Sequence, residues 1–193
     1  MAGEGATVAV IANSLDALQA DDRAARVDGE YEALTSLGFD AREIDLRRVR
    51  DVDRAFSKVD ALWMRGGNVF VLRHALALSG ADESVVRMLH DDAIVYAGYS
   101  AGPCVLSPSL RGLEACDSTD DVAQAYGAQA RFDGLGVLPY AIVPHVDSPD
   151  HPESPMLEKV ADAYRRDGTP HSVLRDGEAL VVEGEETYIV GGR

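Results

Sequence analysis

The chain has 193 residues, 46% of them hydrophobic and 26% charged, with 33 acidic against 18 basic side chains and a formal net charge of −15. That length suits one domain, spanning residues 1–193, which buries a core without disulfides or a structural metal. So acidic a surface repels phosphate backbones and anionic lipid, which argues against nucleic-acid and membrane partners.

In chain order, the N-terminus MAGEGATVAVIANS lacks a basic leader region, and its apolar run is too short for a signal peptide. No stretch reaches the length of a membrane span, so a cytoplasmic protein is expected. Residues 7–12 (TVAVIA) read as a strand covered on both faces. Residues 21–37 have helical composition and run into Gly38, a C-cap residue. Residues 40–46 and 59–64 read as further strands, the second leading into Arg65-Gly66-Gly67-Asn68. Helices are expected over 69–79 and 83–90, a buried strand over 93–97, and a helix from near Ser100. Residues 107–135, rich in Ser, Asp, Gly and Pro, resist assignment. Residues 141–143 form a short strand before Pro144-His145, and 153–166 an amphipathic helix. From His171 onward the pattern is strand-turn-strand-turn-strand, with turns at Asp176-Gly177 and Glu183-Gly184-Glu185. The order implies an α/β fold: a mostly parallel sheet flanked by helices on both faces, with antiparallel C-terminal strands.

The stretch AIVYAGYSAGPCVL places G-x-S-x-G between a strand and a helix, the pattern of a nucleophile elbow. That turn needs small residues on either side of the serine, which takes a strained conformation held by packing. The same residues also suit a simple strand-to-helix turn with Ser100 as N-cap. A serine nucleophile needs a base, and the base an orienting carboxylate. Of five histidines, His74 and His90 fall within predicted helices, His151 in a polar loop as a rim residue, and His171 at a strand start. His145 instead follows a strand at the sheet end where α/β folds present a cleft. For the acid, Asp176 and Asp147 compete, and spacing does not separate them. Ala101 N–H and a glycine N–H of the 65–68 loop are candidates for an oxyanion hole. Cys104 and Cys116 make neither a disulfide framework nor a C-x-x-C metal site.

Taken together, WMRGGNVFVL, YAGYSAGPCVLSPS, GLGVLPYAIVPHVD and LRDGEALVV resemble peptidase E, the aspartyl dipeptidase family of serine peptidases, over roughly residues 55–182. The resemblance implies a class I glutamine amidotransferase-like fold and a triad of Ser100, His145 and Asp176, in that order along the chain. It favours Asp176 over Asp147, with aspartate where the family usually has glutamate. It implies Gly67 and Ala101 N–H groups as the oxyanion hole, and no cofactor or metal. Serine, not cysteine, at position 100 argues against glutaminase chemistry, and Cys104 is expected to face the core. Three departures fall on the substrate side. R-G-G-N replaces G-G-G-N, which puts Arg65 in place of a glycine at the cleft edge, and the motif's Asn68 is a further substrate-binding candidate. The segment after Ser100 offers Glu114, Asp117, Asp120 and Asp121 for the family's amine-binding aspartate. The chain is also shorter than typical aspartyl dipeptidases. For an acidic substrate side chain, Arg65 and Arg111 are the candidates. The expected partner is a short peptide, with a homodimer left open. A non-catalytic binding domain, and an esterase or cyanophycinase-like hydrolase, share the same scaffold.

Overall fold

A computed structural model of the chain describes residue 3 and residues 5–191. Residues 1, 2 and 4, part of the N-terminal segment read above for a leader, lie outside the described residues. Strands β1 (Thr7–Ile11), β2 (Asp40–Glu43), β3 (Ala61–Met64) and β4 (Val95–Gly98) form one parallel sheet in the order β2-β1-β3-β4. Parallel neighbours need crossovers, and the crossovers lay helices on the sheet faces. Alternate residues of β1 serve different faces. Val8 and Val10 pack with Val27 and Leu34 of α1 (Ala20–Ser36). Ala9 and Ile11 join the larger core with α3 (Val69–Ser79), α4 (Ala81–His90) and α7 (Ser154–Asp167). Phe56, Phe70, Leu62, Met64 and Leu72 are all fully buried in it. Among the described residues, no helix is long and apolar enough to cross a membrane.

The C-terminal third carries the expected antiparallel strands, set apart from the four-stranded sheet. β5 (Ala141–Val143) and β6 (His171–Val173) pair in parallel with each other, apart from the first sheet. The antiparallel strands β7 (Glu178–Glu183) and β8 (Glu186–Gly191) form a separate hairpin. Its partly buried Leu180 packs on the larger core, while Val182, Tyr188, Ile189 and Val190 stay exposed. Apolar alternation marks these segments as strands but carries no information on their neighbours.

Boundaries shift for local reasons. β2 ends at Glu43: Ile44 N–H makes the last bond to β1, at Val10 O, and Leu46 N–H turns to Asn13 Oδ1, with both side chains buried. β3 and β4 start later than expected, at Ala61 and Val95. A short α2 (Val52–Phe56), not anticipated, is capped by Asp51, whose carboxylate accepts from Arg54 N–H at 2.9 Å. Within the unassigned 107–135 segment lies α6 (Asp120–Tyr126). The expected helix after Ser100 is only α5 (Ala101–Cys104), a single turn too short to sum much of a dipole.

Candidate active site

Ser100 ends the run of β4 and precedes α5, with φ 53° and ψ −112°. Its side chain caps no helix, so the N-cap alternative is not what the turn builds. The flanking glycines have a steric cause. A Cβ at Gly98 or at Gly102 would stand 2.4 Å from the Met64 carbonyl oxygen of β3, so both positions exclude any side chain. A Cβ at Gly66 would meet the Tyr99 ring at 2.6 Å. Strand, turn and the 65–68 loop therefore touch around Ser100.

That loop is held by Ser14, a buried residue that sequence reasoning passed over. Its hydroxyl donates towards the Arg65 and Gly66 carbonyls at 3.0 and 2.9 Å, and its carbonyl accepts from Asn68 N–H at 3.1 Å. The only sequence signal was a polar residue directly after a buried strand. Gly67 sits at φ 142°, a conformation side chains rarely take. Among the described residues, neither Gly67 nor Ala101 donates its backbone N–H to a protein acceptor.

His145 and Asp176 meet through the small second sheet. The β5–β6 ladder continues past its ends, with Leu174 N–H to Val143 O and Val146 N–H to Leu174 O, both 3.0 Å. His145, at φ 58°, then lies beside the turn after β6. Its Nδ1 stands 2.5 Å from Asp176 Oδ1. A carboxylate only accepts, so Nδ1 carries a proton, and the neutral ring presents its lone pair at Nε2. Buried Ser148, also unforeseen, stitches the two turns: its hydroxyl accepts from Asp176 N–H at 2.9 Å. The rival Asp147 instead pairs with Arg175 at 2.5 Å. Asp176 is half exposed, with 49% of its side-chain surface open.

Ser100 and His145 line one open cleft of about 540 Å³, together with Gly67, Asp117, Asp121 and His151. No hydrogen bond joins Ser100 Oγ to the ring among the described residues, and His145 Nε2 is buried without a partner. Such contacts in unliganded sites are commonly loose and tighten around substrate.

The four acids after Ser100 separate cleanly. Asp117 and Asp121 reach the cleft, whereas Glu114 accepts locally from Gly112 N–H and Asp120 starts α6 away from it. Asp117 also accepts from Val69 N–H at 2.8 Å. Burial raises its carboxyl to about 7 against the pull of that N–H, and the Glu153 and Asp121 charges push the same way as burial. Asn68 lines the cleft but its amide is spent on the protein. Oδ1 caps α3 at Phe70 and Val71 N–H, and Nδ2 donates to Ser118 O and Asp121 Oδ2.

Arg65 is on the cleft but pairs with Glu30 at 3.2 Å, the same carboxylate that Trp63 Nε1 and Tyr99 Oη hydrogen-bond. Arg111 is not a cleft residue: its guanidinium lies over the Phe132 ring, 4.4 Å from the centroid. The unforeseen cation there is Arg26 of α1, which lines the cleft and has no ion-pair partner among the described residues. Cys104 faces the core as expected, where burial pushes its thiol far up and leaves it protonated. His74 is tucked against Tyr126, His171 is hydrogen-bonded to Thr169 O, and His90 is exposed beside Asp91.

The sequence model of Peptidase family S51 matches residues 16–190. A Streptomyces coelicolor protein named peptidase E is 31% identical over 177 residues, covering 90% of this chain and 67% of its own length. A Drosophila melanogaster protein named probable alpha-aspartyl dipeptidase is 26% identical over 166 residues, covering 84% of this chain and 65% of its own. In fold, the chain superposes with a TM-score of 0.82 on a Listeria monocytogenes crystal structure assigned to peptidase E. That likeness is 23% identical and covers 98% of this chain and 88% of the other. With the family match running over nearly all of the described residues, the chain belongs to Peptidase family S51 and is a serine-type peptidase.

Proposed function

We propose that this peptidase cleaves short peptides next to a free N-terminus through a Ser100–His145–Asp176 triad. The observation that carries the reading is the strained Ser100 turn opening on the same cleft as a partnerless His145 Nε2 whose other nitrogen is held by Asp176. His145 Nε2 takes the Ser100 proton as Oγ bonds to the scissile carbonyl carbon. The oxyanion so formed draws on the Gly67 and Ala101 N–H groups. Collapse breaks the C–N bond, and the proton on Nε2 leaves with the amine. Water, deprotonated by the same nitrogen, then hydrolyses the acyl-enzyme. Asp176 keeps the ring in the productive tautomer and stabilises its cation.

Asp117, low in the cleft, receives the substrate's α-ammonium group, with Asp121 beside it. Because Arg65 is engaged by Glu30, Arg26 is the cation open to an acidic side chain, which makes an N-terminal aspartate the favoured first residue.

The test is hydrolysis of an X-Leu dipeptide panel that includes Asp-Leu, by the wild type, Ser100→Ala and Asp176→Asn. Ser100→Ala should lose on the order of 10⁴-fold or more in kcat, and Asp176→Asn about 10²–10⁴-fold. Cleavage of non-acidic members keeps the triad and discards the aspartyl preference. Hydrolysis that survives Ser100→Ala overturns the reading.

A further inference from the structure

The polar loop after β5 returns a second imidazole to the cleft. His151 lies flat on His145, with ring centroids 3.6 Å apart and planes inclined by 4°. His145 needs such support. Its backbone is at positive φ, its ring is gripped by Asp176 at Nδ1, and among the described residues nothing holds the Nε2 edge. A ring tied at one atom still swings about that contact, and a swing carries Nε2 away from Ser100. A second ring pressed on its face blocks the swing without touching either nitrogen.

His151 is itself anchored. Its Nδ1 accepts from Glu153 N–H at 3.3 Å, its backbone N–H donates to Ser148 O at 2.9 Å, and its carbonyl accepts from Ser154 N–H at 3.1 Å. Ser148 is also the residue that ties the His145 turn to the Asp176 turn. Stack and triad therefore share one support.

We propose that His151 is a positioning residue for His145, holding Nε2 towards Ser100 through face-to-face packing. This rests on His145 being the base. No proton passes through His151. The stack acts through shape, and the π-face it offers also favours the imidazolium that His145 becomes during acylation. A planar ring of any chemistry at position 151 serves, whereas a non-planar side chain of similar bulk does not.

The experiment compares the wild type, Ser100→Ala, His151→Ala, His151→Phe and His151→Leu. Two rates are read, covalent labelling by a small fluorophosphonate and hydrolysis of Asp-Leu, with thermal melting as the check on folding. The expected result is a roughly 10- to 100-fold loss of labelling rate and kcat in His151→Ala and His151→Leu, KM within about twofold, and recovery to within about threefold in His151→Phe. If His151→Ala fails to fold, Phe against Leu decides alone, since they differ chiefly in planarity. Labelling that depends on Ser100 but is unchanged in His151→Ala and His151→Leu overturns the positioning role and leaves the triad standing. Loss in His151→Phe equal to that in His151→Ala also overturns it, because the imidazole nitrogens would then be needed. Labelling independent of Ser100 overturns the triad and this inference together.

Discussion

Asp117 is the residue at which charge and burial conflict most openly in the cleft. Its carboxyl is raised to about 7 by burial, with Glu153 and Asp121 adding to the effect. The folded chain therefore holds this proton over a window where the unfolded chain has released it. Stability from this group is present at low pH and is lost as pH rises through about 7. Binding runs the other way, because only the ionised form pairs with an ammonium group. KM for Asp-Leu is expected to climb as pH falls below about 7, with kcat moving less. Asp117→Asn should flatten that limb at a uniformly high KM. It should also raise the melting temperature above pH 7 relative to the wild type, since the amide oxygen still accepts from Val69 N–H. A KM that ignores both pH and the substitution would remove Asp117 from amine recognition. Ser100 was legible from its motif, but Asp117 was not separable from Glu114, Asp120 and Asp121. Which of them points into the cleft depends on how the segment folds back over α3.

Among the elements, the β3–β4 contact decides whether Ser100 is correctly aimed. Gly98 and Gly102 press on one carbonyl, Met64 O, from the end of β4 and the start of α5. Gly98→Ala forces that backbone apart, at about 1–3 kcal/mol of stability. A displacement near 1 Å at Ser100 should cost on the order of 10²-fold in rate. Urea denaturation and fluorophosphonate labelling, run on the same preparation, read the two effects. Wild-type labelling in a destabilised Gly98→Ala would mean that the glycine serves the strand packing and not the serine. The strand, the turn and α3 were all legible, because close packing and helix capping leave local signatures. The β5–β6 pair was not. Three residues of each strand contribute, and nothing in AIV or HSV says that they adjoin.

On the scale of the whole molecule, the segment without a readable pattern is tied back by a buried carboxylate. Asp16, 1% exposed at its side chain, accepts from Asn13 Nδ2 at 2.7 Å, Arg23 Nε at 2.9 Å and Tyr126 Oη at 2.5 Å, with Arg47 at 3.3 Å. It thereby joins the turn after β1, helix α1 and helix α6. Without the anion Arg23 still pairs with Glu43 and Arg47 with Asp45, so Asp16→Ala loses the shared hydrogen bonds and not the charge balance, and should cost about 1–3 kcal/mol. Tyr126→Phe deletes one donor and should cost about 1 kcal/mol. Urea midpoints check both, and equal small losses would mean that the network contributes little to holding α6.

By itself the sequence determined the alternation of strands and helices, the turn that exposes Ser100, and His145 as the histidine set at a strand end. Each of these follows from local physics: periodic burial, glycine where no Cβ fits, a chain turning out of a sheet. Spacing left Asp176 and Asp147 open and the family resemblance favoured Asp176; tertiary structure sets Asp176 against His145 and gives Asp147 to Arg175. It alone decided that Glu30 occupies Arg65, that Arg26 stands open, that the C-terminal strands leave the main sheet, and that His151 stacks on His145. Those outcomes depend on which charges and rings long-range packing makes neighbours, and a neighbour distant in sequence leaves no mark on the local pattern.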